Sequence, residues 1–260
     1  MAAFNFKAAL CSSALALCSL VMAPNALAEE EVLRVGTESS YAPFEFNNAQ
    51  GQLVGFDIDL AEAVAKQMGA QVEWVQMPFD GLIPAMLTSQ VDMAVASFTV
   101  TQERKKRINF SDPYYRSGLT FVIRKGDEGK YTSVESLKGQ RLCAQLGSVS
   151  AMKAQTFSKD NVTTFNDAYA AYLELKSGGC EAVLNDRPVN LYFMATSQNA
   201  SDFHEINELM DAEDMAMVIP KNNDELLTKV NKALSELKAN GTYEQIYNKW
   251  FGETQKKISK

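Results

Sequence analysis

The stretch GFDIDLAEAVAKQMG, residues 55–69, decides the fold, because it separates two short strand-like segments and differs from them in periodicity. Its apolar residues recur at the spacing of one helical face, at Ile58, Ala61, Val64, Ala65 and Met68. Asp57 is predicted to cap this helix, and Gly69 is predicted to end it. The segments VLRV (32–35) before it and VEWV (72–75) after it are typical of strands. The stretch therefore predicts a strand, helix, strand unit.

The same order continues along the chain and then recurs in its second half. The further predicted elements are helix 79–90, strand 91–96, strand 141–145, helix 147–158, strand 162–165, a helix capped by Asp167, and strand 180–184. Strands that alternate with helices form parallel sheets covered by helices. We therefore predict an α/β protein of two similar lobes, each a mostly parallel sheet flanked by helices. Two more helices are predicted between 224 and 250, divided at Asn240-Gly241.

Residues 1–28 have the pattern of a secretory signal peptide. Lys7 supplies the positive charge, residues 8–23 are largely apolar, and Ala26-Leu27-Ala28 resembles a cleavage site. The alternative, an uncleaved anchor, is disfavoured because the apolar run is short for a membrane span and contains serines. We predict export to the periplasm and cleavage after Ala28.

The charge of the chain excludes some classes of partner. Its formal net charge is −7, whereas binding to nucleic acid or to anionic lipid draws most of its affinity from a basic excess. The run Arg104, Lys105, Lys106 and Arg107 is therefore not interpreted as a nucleic-acid patch. We predict a soluble exported protein without a nucleic-acid partner.

Two cysteines, Cys143 and Cys180, follow the predicted signal peptide. An even pair in an oxidising compartment predicts a disulfide. The alternative is a pair of unpaired, buried thiols.

Parallel α/β sheets present ligands at the carboxyl ends of their strands. The residues at or just beyond the predicted strand ends are Glu38, Phe79, Ser97, Gln145 and Asp186. Taken singly, each has an ordinary structural interpretation, such as a helix cap for Asp186 or a core position for Phe79. Together they predict a polar cleft that contains carboxylates.

Six segments in order resemble the periplasmic polar amino-acid-binding proteins of ABC importers, solute-binding protein family 3. They are GTESSYAPFEF (36–46), GFDIDLAEAVAK (55–66), FDGLIPAML (79–87), FTVTQERKKRINFSDPYY (98–115), LNDRPVNLYF (184–193) and NGTYEQIYNKWFG (240–252). The glutamine binders, then the lysine/arginine/ornithine and histidine binders, are the most similar groups.

The resemblance implies the type II periplasmic-binding-protein fold, in which the chain crosses twice between the lobes. We place the crossings near residues 114–118 and 210–215. The first lobe would then comprise residues 29–114 and 215–260, and the second lobe residues 115–214.

The resemblance also implies how the main-chain groups of an amino acid would be held. Thr99 and Arg104 would hold the α-carboxylate, which a guanidinium matches with a planar pair of donors. The backbone N–H groups of Ser148 and Val149, at a helix start, would face the same anion. Lys105, Lys106 and Arg107 would then be a solvated helix face.

The α-ammonium would be held by Asp186 and by the carbonyl of Ser97. Tyr41 and Phe79 would pack on the two sides of the aliphatic part of the ligand.

The tip of the ligand would meet Glu38 and Gln145, and here the chain departs from its relatives. At the position of Glu38 the glutamine and basic-residue binders usually have Asp, although cystine binders can have Glu. At the position of Gln145 the glutamine binders have lysine. An acidic side chain favours a tip that donates hydrogen bonds and disfavours aspartate or glutamate. We predict a polar L-amino acid, with glutamine first and a basic amino acid next.

The resemblance implies binding and delivery to the membrane subunits of an ABC importer, by a monomer with no cofactor and no metal, rather than catalysis. The only histidine, His204, lies in a polar stretch, which disfavours a histidine-dependent triad or metal site. The alternatives are a periplasmic dehydratase of the cyclohexadienyl type on the same fold, or a role in adhesion or sensing.

Overall fold

The structure is a computed structural model that describes residues 1–2, 31–197 and 200–258. The predicted signal peptide lies almost entirely outside the described residues. In chain order the strands are β1 (Glu31–Thr37), β2 (Ser40–Tyr41), β3 (Glu45–Asn47), β4 (Leu53–Val54), β5 (Ala70–Gln76), β6 (Met93–Ala94), β7 (Ile108–Phe110), β8 (Tyr115–Arg124), β9 (Leu142–Gln145), β10 (Val162–Phe165), β11 (Ala182–Asp186), β12 (Phe203–Met215) and β13 (Val218–Pro220). The α-helices are α1 (Phe56–Gln67), α2 (Phe79–Leu87), α3 (Gln102–Lys105), α4 (Val149–Ser158), α5 (Ala168–Ser177), α6 (Arg187–Thr196), α7 (Asp224–Ala239) and α8 (Thr242–Ile258).

Two five-stranded sheets form the two halves of the molecule. The first has the order β5-β1-β6-β13-β7 and the second the order β10-β9-β11-β8-β12. In each sheet the three strands of the predicted repeat are parallel, namely β5, β1 and β6 in one and β10, β9 and β11 in the other. The other two strands of each sheet add antiparallel pairs. The α/β prediction is confirmed, and the sheets are mixed because later segments add antiparallel strands beside each parallel core.

Strands β8 and β12 connect the two halves. They pair antiparallel from Tyr115 opposite Met215 to Arg124 opposite Phe203, with two irregularities in register. Met215 lies in the core of the first sheet and Ile206 in the core of the second. This ladder passes through both predicted crossings, and the lobe boundaries given above stay a prediction.

Helix α1 begins at Phe56 and buries the predicted apolar face against β5 and the C-terminal helices. The prediction that Asp57 caps this helix is wrong. Gly55 is the N-cap residue, and Asp57 lies fully buried inside the first turn. Gly55 has φ of 144°, and a Cβ at this position would lie 1.9 Å from the carbonyl oxygen of Phe44, so only glycine fits here.

Local signals predicted two further helix boundaries. The Asp167 side chain accepts a 2.7 Å hydrogen bond from Ala170 N and caps α5 as predicted. Helices α7 and α8 divide at Asn240-Gly241, also as predicted. None of the helices in the described part of the chain is long and apolar enough to cross a bilayer.

Cys143 and Cys180 form the predicted disulfide, with Cα atoms 6.0 Å apart and a separation of 37 positions in sequence. Both are fully buried beside Val122 and Tyr172 in the second half of the molecule. The bridge ties β9 to the segment just before β11, two neighbouring strands whose carboxyl ends carry predicted site residues.

Candidate functional site

A small cavity of about 20 Å³ lies where the carboxyl ends of the two parallel cores meet. Its lining residues are Tyr41, Phe79, Ala96, Ser97, Thr99, Arg104, Gln145, Ser148, Val149, Ser150 and Asp186. The structure thus brings nine of the ten predicted ligand-binding residues together around one cavity. The tenth, Glu38, does not line the cavity but accepts a hydrogen bond from Gln145, which does.

A larger groove has a volume of about 500 Å³. Aromatic side chains of α5 and α6 line much of it, and no charged side chain occurs among the described residues that line it. The smaller cavity is the candidate site because a cation and a carboxylate converge there.

Arg104 is the buried member of the basic run. It is 8% exposed, whereas Lys105, Lys106 and Arg107 are exposed as predicted. Thr101 caps α3 and accepts from Arg104 N, which fixes the start of this short helix. The local cap therefore turns one arginine inward and leaves its neighbours in solvent.

The guanidinium of Arg104 bridges the two halves of the molecule. Nη1 donates to the carbonyl of Thr99 at 2.9 Å, and Nη2 donates to the carbonyl of Gly147 at 3.1 Å. Its Cζ lies 5.3 Å from the ring centroid of Phe79. Burial lowers the pKa of Arg104 to about 10, against the opposing effect of Asp186. Arg104 is therefore a cation at neutral pH.

The start of α4 faces the same cavity. Ser148 is the N-cap residue, and its Oγ accepts from Ala151 N at 3.0 Å. Its own backbone N–H donates to the carbonyl of Gln145 at 3.3 Å. The N–H of Val149, the other predicted donor, lies in the first turn of α4, where an α-helix provides no acceptor of its own.

Ser150 is a cavity residue that the sequence analysis missed. It is 2% exposed, and its Oγ lies 2.7 Å from Oγ of Ser148. A second serine in the first turn of the helix was a signal that could have pointed to it.

Asp186 ends β11 and is 9% exposed. The hydroxyl of Tyr41 is 2.6 Å from Oδ2 of Asp186 and 2.6 Å from Oδ1 of Asn185. Burial raises the pKa of Asp186, and hydrogen bonds from Ser117 and Tyr41 act in the opposite direction. Tyr41 is thus bonded across the cleft.

Ser97 lines the cavity just beyond β6 in a left-handed conformation, with φ of 49°. Its N–H donates to Oδ2 of Asp57 at 2.7 Å, and its Oγ donates to Oε2 of Glu45 at 3.2 Å. Non-glycine residues seldom adopt this conformation without such local support.

Glu38 follows β1 and is 3% exposed. Its Oε2 accepts a 2.6 Å hydrogen bond from Nε2 of Gln145, which ends β9. Burial raises the pKa of Glu38 to about 8, and the hydrogen bond from Gln145 opposes that effect. This carboxyl group would gain from a cationic neighbour.

Among residues 1–2, 31–197 and 200–258, no group of three or more His, Cys, Asp or Glu side chains is arranged to hold a metal ion.

The model of the bacterial extracellular solute-binding proteins, family 3, matches residues 33–253. The chain belongs to this family. The solute-binding protein is 35% identical over 227 residues to the putative ABC transporter arginine-binding protein 2 of Escherichia coli (strain K12), a match that covers 85% of this chain and 91% of the relative. It is 30% identical over 229 residues to the L-cystine-binding protein of the same organism, covering 88% of this chain and 85% of the relative.

Solved structures agree with this assignment. An ancestral arginine-binding protein bound to arginine is 44% identical with a TM-score of 0.81, over 85% of this chain and 98% of the other. The same values hold for an ancestral arginine-binding protein bound to glutamine. An ancestral amino-acid-binding protein described as a precursor of cyclohexadienyl dehydratase is 38% identical with a TM-score of 0.79, over 85% and 95%. The predicted family and two-lobed fold of the solute-binding protein are confirmed.

Proposed function

We propose that the protein binds one free polar L-amino acid in the cavity between its two sheets and delivers it to an ABC importer from the periplasm. The observation that carries this proposal is that Arg104 and Asp186, from opposite halves of the molecule, line one small buried cavity. A free amino acid carries the two complementary charges, a carboxylate and an ammonium. The relatives named above are binding proteins for amino acids, which supports the same class of ligand.

The α-carboxylate would be held by Arg104, Thr99 and the start of α4. A guanidinium can give two parallel hydrogen bonds to one carboxylate. The N–H groups at a helix N-terminus add donors and a favourable dipole. These groups come from both halves of the molecule, so carboxylate binding favours closure.

The α-ammonium would be held by Asp186 and the carbonyl of Ser97. Burial raises the pKa of Asp186, and an ammonium ion beside it would favour its ionised form. Tyr41 and Phe79 would cover the aliphatic part of the ligand.

The ligand's tip would reach Glu38 and Gln145. We place arginine ahead of glutamine, which the sequence analysis ranked first. Beside a guanidinium, the buried carboxyl of Glu38 would ionise and form an ion pair with it. Beside a neutral amide, this carboxyl would stay protonated. Two of the proteins compared above are named for arginine. Glutamine stays the second candidate, because one of the solved structures holds it.

Delivery would follow from closure. A ligand held by both halves stabilises the closed form relative to an open form by its differential contacts. The membrane subunits of the importer would recognise the closed monomer.

A thermal-shift screen tests the function. The mature chain is screened against the twenty amino acids together with ornithine, citrulline and cystine. A ligand that binds the folded state raises the apparent melting temperature by mass action. We expect the largest shift with arginine and a smaller one with glutamine, and no shift with any compound would contradict the proposal.

A second candidate function is a dehydratase of the cyclohexadienyl type. The observation that favours it is the buried carboxyl of Glu38, whose raised pKa of about 8 suits a proton donor. Incubation with prephenate or arogenate, followed by detection of an aromatic product, separates the two. We expect no product, because Arg104 and Asp186 match an amino acid.

A further inference from the structure

Two fully buried carboxyl groups lie beneath the cavity and do not line it. Glu45 begins β3 and Asp57 lies in the first turn of α1, and both are 0% exposed. Both contact Ser97, a residue of the cavity wall. Neither residue was selected from the sequence as a candidate for function, and the binding scheme above does not use them.

The hydrogen bonds of the pair leave one oxygen atom of each carboxyl without a partner. Oδ2 of Asp57 accepts from Ser97 N at 2.7 Å and from the hydroxyl of Tyr114 at 2.7 Å. Oε2 of Glu45 accepts from Ser97 Oγ at 3.2 Å. The other two oxygen atoms, Oδ1 of Asp57 and Oε1 of Glu45, are buried and have no partner among the described residues. Buried polar atoms are rarely left in this way.

A single proton between the two carboxyl groups removes this deficit. Oγ of Ser97 lies 3.2 Å from Oε2 of Glu45 and 3.4 Å from Oδ2 of Asp57, so one hydroxyl contacts both carboxyl groups. A proton held between Oε1 of Glu45 and Oδ1 of Asp57 would give both of these oxygen atoms a partner. Two buried, adjacent carboxylates would otherwise repel each other strongly at low dielectric constant.

No cation occurs among the groups of the described residues that act most strongly on the pair. Apart from Asp57, the charged group that acts most strongly on Glu45 is Glu38, another acid. The groups that face Asp57 are Glu45, Ser97 and Tyr114. Burial raises the pKa of Glu45 well above its ordinary range and that of Asp57 to about 6. Both shifts favour the protonated form of these carboxyl groups.

We propose that Glu45 and Asp57 share one proton and act as a positioning pair, which fixes Ser97 in its left-handed conformation and places one buried negative charge behind the site of the ligand's ammonium. The effect on the ligand rests on the proposed function, since the carbonyl of Ser97 is the group proposed to accept the ammonium. The pair touches Ser97 through its backbone N–H and its hydroxyl, so it acts through that residue.

Amide substitutions separate charge from geometry. In Glu45→Gln, the side-chain amide replaces the shared proton, donates to Asp57 and still accepts from Ser97. In Asp57→Asn, the amide donates to an ionised Glu45. Each single variant keeps one negative charge, whereas the double variant Glu45→Gln/Asp57→Asn keeps an amide pair but no charge. The exposed Glu62→Gln in the same helix α1 is the matched control.

Calorimetric titration with L-arginine gives the first readout. We expect the single variants to bind within about threefold of the wild type, and the double variant to bind about tenfold more weakly or worse. If the pair had only a structural role, the double variant would bind arginine about as tightly as the single variants. Loss of binding in Glu45→Gln as large as in the double variant, or wild-type affinity in the double variant, overturns the proposal. Circular dichroism and melting curves establish that each variant is folded.

Carbon-13 NMR of the carboxyl groups in the ligand-free protein gives a second readout that does not depend on the function. The Glu45 signal is assigned by its absence in Glu45→Gln. We expect it at the position of a protonated carboxyl at pH 7, and a signal at the ionised position overturns the shared proton. If arginine and every other amino acid fail to bind the wild type, the proposed function fails while this spectrum still tests the pair.

Discussion

Nε2 of Gln145 donates a 2.6 Å hydrogen bond to Oε2 of Glu38, so the carboxyl ends of β9 and β1 are joined across the cleft. One partner belongs to each sheet, and both are 3% exposed. In the proposed binding scheme, Glu38 would present an acidic group to the tip of the ligand. The proposed preference for a cationic over a neutral ligand depends on this pair.

The protonation of Glu38 is expected to differ between arginine and glutamine complexes. Beside a guanidinium the carboxyl ionises, whereas beside an amide its pKa of about 8 keeps it protonated at pH 7. Binding of arginine should therefore release close to one proton from Glu38, whereas binding of glutamine should leave that proton in place. Calorimetry in buffers of different ionisation enthalpy measures this difference. Glu38→Gln should abolish it, and equal proton uptake for both ligands in the wild type would count against the assigned role of Glu38.

Glu38 should also make the ligand-free protein less stable as the pH rises. Its folded-state pKa lies above its ordinary value of 4.5. The contribution of Glu38 to the free energy of unfolding is therefore fully present below about pH 4.5, and it is lost as the pH rises through about 8. Melting temperatures of the wild type and Glu38→Gln, measured from pH 5 to pH 8, should diverge in favour of the variant. A constant difference over this range would contradict the buried, uncompensated carboxyl.

Replacement of Arg104 should remove ligand binding without unfolding the protein. Arg104→Lys keeps the charge but loses the planar pair of donors, and we expect at least about a 100-fold loss of affinity for arginine. Lys105→Ala is the matched control, since this neighbour in α3 is exposed, and it should bind like the wild type. Calorimetry together with circular dichroism decides the matter. Similar affinities for Arg104→Lys and Lys105→Ala would remove Arg104 from the site.

The disulfide is expected to contribute stability rather than recognition. A bridge between residues 37 apart constrains the unfolded chain and is worth about 4 kcal/mol in the chain-entropy account. The double variant Cys143→Ala/Cys180→Ala should therefore unfold at lower denaturant concentration. Neither cysteine lines the cavity, so its affinity for arginine should stay close to that of the wild type. An unchanged unfolding midpoint would refute this contribution.

The features that were predicted correctly from the sequence depend on local signals. The periodicity of α1, the Asp167 cap of α5 and the Asn240-Gly241 division are properties of neighbouring residues, and all three are confirmed. The five strand-end residues lie together because parallel strands place their carboxyl ends at one edge.

Features that depend on residues distant in sequence were not predicted. Asp57 carries the signal of a cap, but its partners Ser97 and Tyr114 lie 40 and 57 residues away in sequence. Strands β8 and β12 were expected only as crossings, because their antiparallel pairing is set by tertiary contacts. Ser150 was passed over because its role depends on the cavity that α4 faces.

The most direct test of the central claim is equilibrium calorimetry of the mature wild-type protein with L-arginine, L-glutamine and L-glutamate in parallel. We expect one site per monomer, with arginine bound more tightly than glutamine. We expect no detectable binding of glutamate, whose carboxylate would meet Glu38. Binding of glutamate in preference to arginine, or the absence of binding by any of the three, would contradict it.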